Sequence, residues 1–191
     1  LVCFVLVLCL IGSASGQTGQ ILIEWWTGIS GGNLDNLLTH ADYPGRPSGS
    51  DYLTSFEVPQ SGQKPPHLAA LTDEYGARIR GYFYPRYSGN YTFWLVSDDN
   101  GRLFLSPDEN SSKAVEIARV PAFVPYNTWD RFPTQKSAPI PLVAGKKYYI
   151  EAIYKEGTGG DHLQVAYGDP GVQVVIPGSE LSPWDLSLIH I

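Results

Sequence analysis

Two adjacent carboxylates, Asp98 and Asp99, close an apolar run in the stretch SDDNGRLFLS (97–106). Successive side chains of a strand point to opposite faces, so the two cannot both be ordinary strand residues facing one environment. Two unit charges ~5 Å apart repel by roughly 1 kcal/mol in water, and by several times that at a partly buried site. A hard cation would offset that repulsion. Calcium takes about six to eight oxygens at roughly 2.3–2.6 Å, from carboxylates, amides and backbone carbonyls. Asn100 and Gly101 continue the oxygen-rich turn, and the loop KEGTGGDHLQV (155–165) adds Asp161 behind Gly159 and Gly160. The competing explanation is a solvated hairpin turn, since Asp, Asn and Gly are standard turn formers.

Acid–base chemistry is the other use for such groups. A glycosidase needs two carboxyls across a cleft, ~5–5.5 Å or ~6.5–9.5 Å apart, in different electrostatic environments. Glu151, Glu156, Asp161 and the Asp98–Asp99 pair are the candidates, but adjacent aspartates share one environment, which suits an ion better than a split acid and base. His40, His67 and His162 have no GxSxG elbow near them, and neither GxxxxGK[ST] nor HExxH occurs. Trp94, within FWLV, reads as core. Trp129, in PYNTWDRFP, reads equally as core or as an aromatic platform for a sugar ring. The acceptor sequons Asn90-Tyr91-Thr92 and Asn110-Ser111-Ser112 predict glycosylation, with Asn110, in a polar loop, the favoured site.

The chain that must position these groups has 191 residues, enough for one domain and a leader. A hydrophobic content of 43% with 17% charged residues argues for a globular fold over disorder. The net charge of −6 and the lack of a basic run exclude sequence-independent nucleic-acid binding. Residues 1–16 (LVCFVLVLCLIGSASG) read as an incomplete secretory signal peptide, an apolar stretch followed by small residues; it is too short to span a bilayer. No membrane insertion is expected of the mature domain, which is expected to be secreted. Both cysteines, Cys3 and Cys9, fall in that leader, so no disulfide framework, thiolate zinc site or cysteine nucleophile remains. At the other end 184–191 reads as a tail. Within it LSLIHI (186–191) resembles the translation of a common sequencing adapter, which would let the native protein continue beyond about Asp185.

Between them, residues 20–183 show short apolar or alternating runs separated by Gly, Pro, Asn and Asp. The runs at 77–84, 90–97, 102–106, 147–154, 163–167 and 172–176 are rich in Val, Ile, Tyr, Phe and Thr, as strands are. Only 33–40 has helical character. Without crossover helices there is no parallel α/β sheet, and one all-β domain, an antiparallel sandwich or barrel, is expected.

From about Glu24 to Pro170 the chain resembles the PA-14 domain, a β-barrel module of the protective antigen, fungal adhesins and many glycan-processing proteins. The resemblance rests on WWTGISG, on YGARIRGYFYPRYSGNYTFWLVSDDNGRLFLS and on QKSAPIPLVAGKKYYIEAIYKEGTGGDHLQVAYGDP, in that order. In sugar-binding members two neighbouring aspartates joined by a cis peptide grip a calcium ion that contacts sugar hydroxyls. The resemblance implies that Asp98 and Asp99 are that pair. It places Asp161 where the family has an Asn ligand, with Leu163 and Val165 giving backbone carbonyls, and the added charge of Asp161 is expected to tighten calcium. Disulfides and a specificity insertion found in the adhesins are not recognisable here, so their particular ligands do not transfer.

The function expected is a secreted, calcium-dependent, non-enzymatic carbohydrate-binding module of a longer extracellular protein, with glycans as partners. Asp98, Asp99, Asn100, Gly159, Gly160, Asp161, His162 and Trp129 are the residues expected to meet sugar. A structural or protein–protein module in which calcium only rigidifies the loop is the alternative, and an accessory domain of a glycoside hydrolase a lesser one.

Overall fold

Residues 19–69, 71–169 and 171–184 are described by a computed structural model, and the alternating runs within them are strands. In chain order they are β1 (Ile21–Thr27), β2 (Gly49–Leu53), β3 (Glu57–Val58), β4 (Tyr75–Phe83), β5 (Gly89–Asp98), β6 (Gly101–Leu105), β7 (Val115–Val120), β8 (Ile140–Leu142), β9 (Tyr148–Glu156), β10 (His162–Asp169), β11 (Val172–Val175) and β12 (Leu181–Pro183). The six runs expected from sequence are β4, β5, β6, β9, β10 and β11, with ends moved slightly, as strand ends commonly are. The helical stretch is a single short helix, α1 (Leu34–Leu38), started by Asn33, whose side chain accepts from the Asp35 amide at 2.9 Å. The leader, 1–16, and residues 185–191 lie outside the described residues.

All strand pairs are antiparallel and form two sheets. One has the order β2-β1-β4-β9-β6-β7, with β12 added to β4 past the end of β1; the other has the order β11-β10-β5-β8, with β3 also on β10. Period-two alternation decides which side chains meet between them. Tyr91, Phe93 and Leu95 of β5 and Leu163, Val165 and Tyr167 of β10 pack in one cluster with Tyr75, Ala77, Ile79 and Phe83 of β4 and Ile150, Ala152 and Tyr154 of β9. Phe83 anchors it, with ring centroids 5.6–5.8 Å from Tyr91, Phe93 and Tyr167. The arginines of β4 point the other way, where Arg78 and Arg80 both donate to Glu24 of β1. This is the all-β sandwich expected from the sequence.

Two connections matter for function because both cross between the sheets at one end of the sandwich. The turn after β5 carries the chain from the second sheet into β6 of the first. The loop after β9 carries it from the first sheet into β10 of the second. Register brings the crossings together: His162 pairs with Asp98, Gly101 pairs with Tyr154, and the Asp99 amide donates to the Lys155 carbonyl at 2.9 Å.

Candidate functional site: a carboxylate cluster at the end of the sandwich

Asp98 is the last residue of β5, and the Asp98–Asp99 peptide is cis. Backbone contacts fix the turn from both sides. Lys155 donates its amide to the Asn100 carbonyl at 2.9 Å, and the Ser97 hydroxyl donates to the Asp99 carbonyl at 2.8 Å. The Gly157 amide donates to Asp99 Oδ2 at 3.1 Å. Small residues make room for this carboxylate. A Cβ on Gly32 would stand 2.1 Å from Asp99 Oδ2, and one on Gly157 would stand 2.9 Å from the Gly32 nitrogen.

A third carboxylate faces the pair. Oxygens of Asp98, Asp99 and Glu156 all lie within 4.8 Å of one another. Glu156 is fully buried, and neither of its side-chain oxygens has a hydrogen-bond partner. Burial, then the charges of Asp99 and Asp161, pushes the Asp98 carboxyl up to about 7. Burial, then Asp98, Asp99, Asp161 and Asp73, pushes Glu156 up to about 8. Lys155 is buried beside them, brought down to about 8 by burial against the pull of Glu156, Asp99 and Glu74, but its ammonium donates to the Glu156 main-chain carbonyl. Among the described residues no lysine, arginine or histidine forms an ion pair with any of the three carboxylates. Oxygen-only, largely buried and without an ion-pair partner, the donor set fits a hard divalent cation such as calcium.

The other residues expected at the site are placed differently. Asp161 is fully buried and stays outside the trio, its oxygens taken up by the Ser61 hydroxyl, the Lys64 ammonium and the Tyr75 hydroxyl. Tyr75 is in turn 2.6 Å from the Tyr154 hydroxyl. Val165 pairs with Leu95, well back along β5 from Asp98, and its carbonyl accepts from the Ile176 amide at 3.0 Å; Leu163 sits between Ser97 of β5 and Val58 of β3. The Val165 carbonyl, which the family resemblance assigned to the ion, thus already accepts a main-chain hydrogen bond.

His162 is buried, 2.9 Å from the Val124 carbonyl and edge-on to Tyr126, so it anchors the 121–127 segment. Burial lowers its pKa, which keeps it neutral. Asn100 is likewise engaged, donating to the Pro121 carbonyl at 2.6 Å and facing the Leu34 amide at 3.4 Å. Gly159 and Gly160 are exposed; a Cβ on Gly160 would lie 3.3 Å from Asp98 Oδ2, and Gly159 has φ +111°. Trp129 is half-buried in a different cleft of about 660 Å3, lined also by Trp94, Phe132 and Lys136 and by none of the three carboxylates. Asn90 and Asn110 are both exposed. The sequence weighed Glu156 only as a catalytic acid. Its one signal was position, a carboxylate ending a strand just before the Gly-rich crossing, and nothing local says which sheet end it faces.

Residues 39–180 match the family model described as the PA14 domain. Mouse N-acetyl-beta-glucosaminyl-glycoprotein 4-beta-N-acetylgalactosaminyltransferase 1 is 27% identical over 181 residues, covering 92% of this chain, which spans only 16% of that protein's length. The PA14 sugar-binding domain from an RTX adhesin superposes with a TM-score of 0.61 at 13% identity, covering 86% of this chain and 98% of that one. The Epithelial Adhesin 6 A domain from Candida glabrata, solved in complex with Galb1-3GlcNAc, gives 0.56 at 13% identity, covering 86% and 87%.

Proposed function

The chain belongs to the PA14 domain family, and from that membership we propose that it is a secreted, non-catalytic carbohydrate-binding module whose glycan site lies at the Asp98–Asp99 end of the sandwich. One observation carries this reading: three carboxylates from two crossings between the sheets converge there, one of them buried with no partner for either oxygen. The sugar-binding adhesin domains among its structural neighbours support it.

Asp98 and Asp99 would hold calcium. A bound calcium supplies open coordination positions that accept vicinal sugar hydroxyls. The exposed glycines Gly159 and Gly160 leave space for a ring beside Asp98. Catalysis is not part of this reading, because burial and neighbouring charge push Asp98 and Glu156 in the same direction and so do not divide them into acid and ionised base. Secretion is supported by the leader-like start and the two exposed sequons.

A second reading, an ion that only rigidifies the crossing, is favoured by how little of the cluster meets solvent: Asp98 is 8% exposed and Glu156 0%. A glycan array probed in calcium and in chelator separates the two. Glycan capture abolished by chelator supports the lectin reading. Calcium binding with no glycan captured in either condition overturns it in favour of the structural one.

A further inference from the structure

We propose that Glu156 is a direct ligand of the cation, taking the place that the family resemblance gives to Asp161. This inference rests on the proposed ion at Asp98 and Asp99.

Three observations carry it. Glu156 is 0% exposed, and both its side-chain oxygens lack a hydrogen-bond donor. A carboxylate offers about four lone-pair sites, and burying it unpaired is costly enough that such groups neutralise, pair or bind metal. Its nearest acidic neighbours are Asp98 and Asp99, with ligand oxygens mutually within 4.8 Å. Three oxygens that far apart share a centre within about 2.8 Å of each, so side-chain adjustments of a few tenths of an ångström bring all three to a single calcium at about 2.3–2.6 Å without a change of fold.

The position of Glu156 is set without the ion. It ends β9 opposite Tyr75 of β4, and the residue before it exchanges backbone hydrogen bonds with Asp99 and Asn100. Asp161 is held elsewhere. To reach the pair it would have to leave a buried ion pair with Lys64 and the hydroxyls of Tyr75 and Ser61. Exchanging an amide ligand for a carboxylate raises the charge on the donors, and calcium affinity rises with ligand charge and rigidity. The resemblance puts that extra charge on Asp161; the geometry puts it on Glu156.

The test is calcium titration by calorimetry on the full chain and on Asp99→Asn, Glu156→Gln and Asp161→Asn, with folding of each variant checked in chelator by tryptophan fluorescence. Glutamine keeps the size and hydrogen-bonding capacity of a protonated acid but loses the charge, so it separates a ligand from a buried neutral carboxyl. The expected result is a loss of calcium affinity of at least tenfold in Glu156→Gln and of less than fivefold in Asp161→Asn. A smaller loss in Glu156→Gln, with binding abolished in Asp99→Asn, overturns the role of Glu156 and leaves the ion site standing. No calcium bound by the unaltered chain overturns both. If Glu156→Gln does not fold, Glu156→Asp, which keeps the charge but draws it back by one methylene, is expected to weaken calcium about tenfold, and unchanged affinity there overturns the inference.

Discussion

Asp98 and Glu156 end strands of opposite sheets, yet their carboxylate oxygens lie within 4.8 Å of one another. An ion held between them ties the two sheets together at that end, so its effect should register in global stability. Calcium at 100 times its dissociation constant adds roughly 2.7 kcal/mol when only the folded chain binds it. For a domain of this size that is a rise in Tm of roughly 5–11 °C. Scanning calorimetry in calcium and in chelator measures it, and Asp99→Asn should abolish the difference.

The pH dependence of the chelated protein follows from the same contact. Asp98 at about 7 and Glu156 at about 8 lie above their ordinary carboxylate values. Between roughly pH 4 and these values the folded chain holds protons that the unfolded chain releases, so stability declines as pH rises through that window; above about 8 the lowered Lys155, which gives up in the fold a proton the unfolded chain keeps, turns the trend upward. The groups involved are Asp98, Asp99, Glu156, Asp161 and Asp73 on the acidic side and Lys155 on the basic side. Denaturant midpoints in chelator should fall from pH 5 to pH 8, and Glu156→Gln should flatten the fall. A midpoint that rises over this range contradicts the electrostatic account.

How much of this was legible beforehand differs by level. The sheets were, because Tyr91, Phe93 and Leu95 alternate with polar or outward residues and the turns between runs carry Gly, Asp and Asn. The Asp98–Asp99 turn was also legible as an oxygen-rich end of a strand. Its partners were not. Lys64 and Asp161 are far apart in sequence and meet only because Ser61 and Lys64 are brought against the crossing after β9, and Glu156 meets Asp98 only because two strands of different sheets end at the same height. His162 was expected to meet sugar because it follows the Gly-rich stretch, whereas in the fold the Val124 carbonyl and Tyr126 cover it.

The Lys64–Asp161 pair gives a third prediction. The two side chains are 5% and 0% exposed, so removing one leaves a charge in a dry site. Lys64→Ala should destabilise the domain by about 3–5 kcal/mol, read as a shift in urea midpoint. Lys64→Met combined with Asp161→Asn should cost less than Lys64→Ala alone, since no uncompensated charge remains. An additive double-mutant cycle would show that the pair contributes nothing as a pair.

Gly32 provides the most local probe of the ion site. The three atoms nearest a Cβ added there all belong to the Asp99 side chain, Oδ2 at 2.1 Å, Cγ at 2.5 Å and Cβ at 2.9 Å. In Gly32→Ala the third contact, with Cβ, is relieved by a small shift of the turn, and the two closest by swinging the Asp99 carboxylate away. That breaks its hydrogen bond from the Gly157 amide, a loss of about 1.5–3 kcal/mol for a charged acceptor at most, and leaves the sheets untouched. The variant should therefore fold, with the strand content of the parent by circular dichroism, while its calcium-induced rise in Tm falls by more than half. A full calcium response in Gly32→Ala would mean that Asp99 does not need its present seat to hold the ion.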